Sequence, residues 1–218
     1  MGYVILKAYE FLTVLLSFLV VFVGLAFRYK HRGLRVQLRH SLLVALFAVY
    51  IFAVFYVTGV STLMHLVNNA PYVHWQQVQW LPYFYKQGGA GLQWLLQVPQ
   101  GSWLNVLLFV PLGVLLPLVW PARYKLGRTL LTGFSFSLLI EVSQLFNNRV
   151  TDMDDLICNT LGAVAGYLMF RLAALLARCK PAKSPYPGWE APLYIGVMFL
   201  GRFLLFNEMA AARLLFHF

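Results

Sequence analysis

Along this chain, long apolar runs alternate with short polar segments at nearly regular intervals. The runs cover residues 8–27, 41–64, 102–122, 129–146, 156–177 and 192–216. Each is close to the roughly 20 residues that carry a helix across a hydrocarbon core of about 30 Å. Run 41–64 is uncharged throughout. The first contains only Glu10, the fourth only Glu141 and the fifth only Arg171, whereas the third is uncharged but holds Pro111, Pro117 and Pro121. The pattern predicts five membrane-spanning helices. The sixth run, with Arg202, Glu208 and Arg213, reads as a further span or as a helix lying in the interface.

Composition agrees. The 218 residues are 61% hydrophobic and 11% charged, against roughly 45–50% and about 25% in soluble domains. A soluble core cannot hide that much apolar surface. The expected fold is an all-α, polytopic integral membrane helix bundle of five to six transmembrane helices. Three regions are expected: residues 1–40 as an anchor with a basic loop, 41–177 as the principal transmembrane domain, and 178–218 as a linker with the last helix. The first run is followed, not preceded, by positive charge and has no small-residue cleavage site, so it reads as a permanent anchor. Cys158 and Cys179 fall on one predicted helix about 32 Å apart and do not pair.

Charge then sets a direction. Residues 28–40 hold five Lys or Arg, 121–128 three, and 171–189 four, so twelve of the 17 cations lie in three alternate loops. The positive-inside rule makes those loops cytoplasmic and the N-terminus extracytoplasmic. A net charge of +10 would suggest nucleic acid for a soluble chain. Here it is a topology signal with some contact with anionic lipid heads, and no nucleic-acid partner is expected. Loop 67–101 lies on the other side and contains Tyr72, Trp75, Trp80, Tyr83, Phe84, Tyr85 and Trp94. It reads as an aromatic belt or as a lid over a lipid-borne ligand, and 88–100 as a short re-entrant or surface helix.

Four of the seven acidic residues, Glu141, Asp152, Asp154 and Asp155, crowd between the fourth and fifth runs. With the predicted topology they share one outer layer with Asn105, Gln144, Arg149 and Asn159. Gly133, Ser137, Glu141 and Gln144 form one helical stripe, and Asp155, Asn159, Gly162 and Gly166 another. Both stripes have small residues at depth and polar residues at the top, and Gly162–Gly166 is a GxxxG pair. The two stripes are expected to face each other, packing closely at Gly133, Ser137, Gly162 and Gly166 beneath a polar mouth. A purely structural account has Arg149 pairing with an acid, Asp152 or Asp154 capping the fifth helix and Asn159 bonding between helices. Capping needs one acid, and four are present. Ionisable groups in a membrane usually face a wet cavity or a bundle interior.

"LNVLLFVPLG" (104–113), followed by "IEVSQLFNNRVTDMDDLICNTLGAVAG" (140–166), resembles the VanZ-like family of bacterial membrane proteins. The likeness lies in an Asn ahead of an F-x-P-L-G turn, then E-x-x-Q-x-F, an Arg, an acidic pair and N-T-x-G-x-x-x-G. "WLPYFY" (80–85) adds to it, and the likeness spans 41–171, leaving the first and sixth runs outside. It implies a bacterial cell-membrane protein and brings forward Asn105, Pro111, Gly113, Glu141, Gln144, Arg149, Asp152, Asp155, Asn159, Gly162 and Gly166. Asp154 and Asp155 stand side by side, and either of the two fits the family's Asp position. The founding member is linked to resistance against teicoplanin, a lipid-bearing glycopeptide, so the resemblance names a family without naming a reaction.

Three functions follow as expectations. The first is a binding or shielding protein for a lipid-linked cell-wall precursor, another lipid-anchored envelope component or a lipoglycopeptide. In it, Arg149 meets a phosphate or carboxylate and Glu141 accepts a hydrogen bond. The second is an enzyme on a lipid-linked diphosphate, with Asp154, Asp155 and Asn159 holding Mg²⁺, Mn²⁺ or Ca²⁺ and Glu141 as base. Ser137 and Ser143 have no nearby His to make either a nucleophile, and His65 and His74 fall on another element. The third, a transporter or flippase, would need polar residues through the whole depth, and the inner halves of the runs are apolar. Nothing in the sequence speaks to oligomeric state.

Overall fold

The computed structural model describes residues 2–69, 78–79, 100–147, 151–178 and 184–216. Its helices are α1 (Gly2–His31), α2 (Leu38–Thr58), α3 (Leu63–Asn69), α4 (Gln100–Val119), α5 (Leu126–Gln144), α6 (Met153–Leu176), α7 (Glu190–Leu205) and α8 (Glu208–Phe216). Two short strands, β1 (Val78–Gln79) and β2 (Thr151–Asp152), pair in parallel. The chain divides into two compact units, residues 1–73 with 189–218, and residues 74–188.

Three helical stretches are long and apolar enough to cross a membrane: Val4–His31, Leu38–Val67 and Met153–Leu176. Trp103–Val119 is apolar but shorter. Large apolar side chains point outward along these helices, among them Leu12, Leu16, Val20, Leu42, Leu168 and Leu172, each more than half exposed. Such faces are rare on soluble monomers and fit a lipid surround. The sixth apolar run is not one helix. It breaks at Phe206, where the backbone turns extended. Asn207 Oδ1 then accepts the Ala210 N–H at 2.9 Å and starts α8. Tyr9 Oη, which donates to the Leu205 carbonyl at 2.6 Å, occupies the end of α7.

In the first unit, α1 runs antiparallel to α7. Phe18 packs on Tyr194 with ring centroids 5.4 Å apart, and Gly201 lies so close to α1 that an added Cβ would overlap Ser17. Both ends of α7 are fastened by charge. At its start the fully buried Glu190 accepts the Tyr29 hydroxyl and lies 3.4 Å from His40 Nε2. Near its end the buried Arg202 donates through Nε to Glu10 Oε1 at 2.9 Å, and Nη1 donates to the Val60 and Ser61 carbonyls. An acid at the N-terminus and a base at the C-terminus also suit the helix dipole.

In the second unit, α4 and α6 pack backbone to backbone. A Cβ on Gly162 would overlap the Val106 carbonyl oxygen, one on Gly166 that of Val110, and one on Gly113 that of Ala163. Contact advances by four residues on both helices, so they run parallel. Gly162 and Gly166 of α6 thus face α4, not α5 as the sequence suggested, while α5 meets α6 through Gly133, its Cβ position 2.7 Å from Ala163 Cβ, and through Ser137, bonded to Asn159. Pro111 and Pro117 lie inside α4, so the F-x-P-L-G segment is helix and not a turn. Neighbouring helices and local adjustment make this tolerable in a membrane. Phe109, Leu112, Leu116, Phe136 and Ile140 fill the core beside this contact.

Candidate functional site

The site grows from the α5–α6 pairing. Asn159 Nδ2 donates to Ser137 Oγ at 2.9 Å, both side chains being buried. Ser137 opposite Asn159 and Gly133 opposite Ala163 share one antiparallel register, which places Glu141 level with Asp155 at the same end of the unit. Parallel α4 brings Asn105 to that end, where it hydrogen-bonds the Asp155 side chain.

The turn into α6 is built on the acids themselves. Asp152 is the N-cap and accepts the Asp154 N–H at 3.0 Å, the usual work of an Asp before a helix. Glu141 Oε2 accepts the Asp152 N–H at 3.1 Å, and Thr151 Oγ1 donates to the Glu141 carbonyl at 3.2 Å. Glu141 is only 4% exposed and Asp154 also 4%, while Asp155 is half-buried. Glu141 feels the charges of Asp155 and Asp152, and Asp155 those of Asp152 and Asp154. Among the described residues, neither Glu141 nor Asp155 is in an ion pair. One turn below Asp155, the buried Asn159 Oδ1 has no hydrogen-bond partner among the described residues.

Asn105, Glu141, Gln144, Asp152, Asp154, Asp155 and Asn159 therefore gather at one end of the second unit. Arg149 lies outside the described residues, as do His74, Cys179, the surface-helix segment up to residue 99 and the loop aromatics, Trp80 included. Cys158 is buried with a free thiol, and His65 Nδ1 accepts the Thr62 N–H at 3.1 Å. Asp154, Asp155 and Asn159 are the groups that would hold a divalent ion. Among the described residues, no three His, Cys, Asp or Glu side chains are grouped to hold one.

The sequence reading missed two features. The pairing of Val78 with Thr151 and Gln79 with Asp152 docks part of the aromatic loop beside the acidic turn. A two-residue bridge leaves no periodic trace. Thr151 also ties that turn to α5 through a backbone carbonyl, which no side-chain pattern reports.

Fold and site together define a helical membrane protein, four of whose seven acids collect at one end of a unit whose described helices are α4, α5 and α6. A family model described as VanZ/LLP1 matches residues 11–175, and the chain belongs to that family. The match begins within α1, so the first run, outside the motif resemblance, falls inside the family region. No curated protein and no solved structure matches the chain.

Proposed function

We propose that this VanZ-family membrane protein binds a lipid-linked component of the bacterial envelope at the extracytoplasmic face. The ligand is a lipid-anchored cell-wall precursor or a lipid-bearing glycopeptide such as teicoplanin, and no reaction is required. The supporting observation is the pairing of Glu141 with Asp155 without a cation among the described residues, above the unpartnered Asn159 Oδ1. Among the described residues this end of the unit gathers acidic acceptors without a cation, so an ammonium or hydroxyl-bearing head would complete it. Trp103, Leu104, Leu107, Val142 and Leu161 are exposed on the same helices near that end, a setting for an acyl chain. Five or six crossings with basic loops 28–40, 121–128 and 171–189 inside place the acids outside. The pairing of Val78 and Gln79 with the acidic turn supports reading the aromatic loop as a lid for the ligand, with Arg149 as the partner of a phosphate or carboxylate.

The test is susceptibility in a teicoplanin-sensitive Gram-positive host. Empty vector, wild type and Asp155→Asn are compared at matched membrane levels, with vancomycin as the non-lipidated control. The expected result is a selective rise in teicoplanin tolerance with wild type alone. Equal tolerance in all three strains contradicts the proposal.

A further inference from the structure

The opposite end of the second unit carries a different chemistry. Arg123, Lys125, Arg128, Arg171 and Arg178 are all exposed there. The α5–α6 register puts Lys125, just ahead of α5, level with Arg171 on α6. None of the five has a carboxylate partner among the described residues. The acids at the other end cannot neutralise them. Lys125 and Glu141 are sixteen residues apart, roughly 24 Å along a helix, and exposed charges are screened within about 8–10 Å at physiological salt.

Two of the arginines are nevertheless held in place. Ala122 turns the chain at a φ of 63°. Arg128 Nη1 then donates to the Arg123 carbonyl at 3.1 Å, with its guanidinium 5.9 Å from the centre of the Tyr124 ring. Arg123 Nη2 donates to the Ser184 carbonyl at 3.4 Å, and Tyr124 Oη to that of Gly188 at 2.9 Å. These bonds use few of the ten guanidinium N–H donors on the two residues. The bare apolar side chains Leu126, Leu130, Leu131, Leu172, Leu175 and Leu176 stand next to the cations, each more than 40% exposed. A nucleic acid or an acidic protein would match the charge but leave these leucines in water. A molecule with a phosphate head and acyl chains matches both.

We propose that this end of the unit is a docking surface for an anionic phospholipid, its phosphate among Arg123, Lys125 and Arg128 and its chains on the leucines of α5 and α6. The surface is independent of the acidic site, so either can fail alone.

The test uses the full-length protein in an uncharged detergent, with the thermal unfolding midpoint followed as phosphatidylglycerol is added. Phosphatidylcholine, glycerol phosphate and inorganic phosphate are run in parallel. Phosphatidylglycerol is expected to raise the midpoint while the other three leave it nearly unchanged. The triple variant Arg123→Gln, Lys125→Gln, Arg128→Gln should need at least about tenfold more phosphatidylglycerol for the same rise, since each cation near an anionic lipid surface contributes roughly a fivefold factor. A variant with the same charge loss in the first unit, Arg28→Gln, Lys30→Gln, Arg32→Gln, should lose clearly less of the response than the triple variant. The midpoint without lipid reports folding. If the triple variant does not fold, Lys125→Gln, whose side chain makes no hydrogen bond or ion pair among the described residues, carries the comparison. An unaltered response in the folded variant, an equal loss in the first-unit variant, or a full rise with an acyl-free phosphate overturns the proposal.

Discussion

Replacing Gly166 with Val is expected to destabilise the protein by about 3 kcal/mol or more, the upper range for overpacked interiors. Gly166 meets the backbone of α4, and its Cβ position overlaps the Val110 carbonyl oxygen and lies 3.0 Å from Gly113 Cα. A flexible side chain could swing away, but a helix backbone must move as a whole. Moving α4 off α6 opens the Phe109 and Leu112 core and shifts Asn105 from Asp155. Without a strong hydrophobic drive between helices in lipid, such close approach is a main source of helix association. Gly24 and Gly196 serve as controls, since nothing lies within 4 Å of a Cβ at either. Ala at those positions should be neutral or slightly stabilising, Ala being a better helix former than Gly by about 1 kcal/mol. Unfolding in mixed micelles with increasing denaturing detergent measures both. Equal stability of Gly166→Val and Gly196→Ala would refute the α4–α6 contact.

The second large effect is expected at Arg202. Changing it to Met leaves Glu10, 1% exposed, with Lys7 Nζ at 3.0 Å as its remaining cation among the described residues. It also strips a charged donor from the Val60 and Ser61 carbonyls. Removing one partner of a buried ion pair typically costs about 3–5 kcal/mol, whereas replacing both with apolar groups of similar volume is often near neutral. Arg202→Met should therefore be severely destabilised, and Glu10→Leu with Arg202→Met should recover much of the loss. The two effects would simply add if Glu10 and Arg202 did not act as a pair. The same unfolding assay separates the outcomes.

The apolar runs announced α1, α2 and α6 because lipid asks one thing of every residue in a span, and that demand is written locally. The observed helices extend past the runs, as at Lys30 and His31 of α1, because polar ends still satisfy helix geometry in the headgroup layer. The gathering of the acids was legible for a related reason: helices that alternate in direction bring the ends of distant runs together. The partner of the Gly162 and Gly166 stripe was not legible. Both neighbouring helices offered small residues, and the contact that decides between them is made by carbonyls of Val106 and Val110, which carry no side-chain signature. Glu10 and Arg202 each read as a flaw in an apolar run. Their pairing across 192 positions is a tertiary fact, although two opposite charges buried in apolar helices each call for a partner. The sixth run read as one segment, and the capping side chain of Asn207 helps split it in two.

The most direct measurement of the central claim is ligand binding to the purified protein in lipid nanodiscs. Teicoplanin and vancomycin would be titrated against wild type, Glu141→Gln and Asp155→Asn, with unfolding midpoints confirming that each variant is folded. The account predicts saturable binding of the lipid-bearing compound to wild type, weakened at least about tenfold in both variants (the loss of one charge-assisted hydrogen bond), and little binding of vancomycin. Equal affinity of wild type and both folded variants for teicoplanin would contradict it and leave the acids as the frame of the α5–α6 turn.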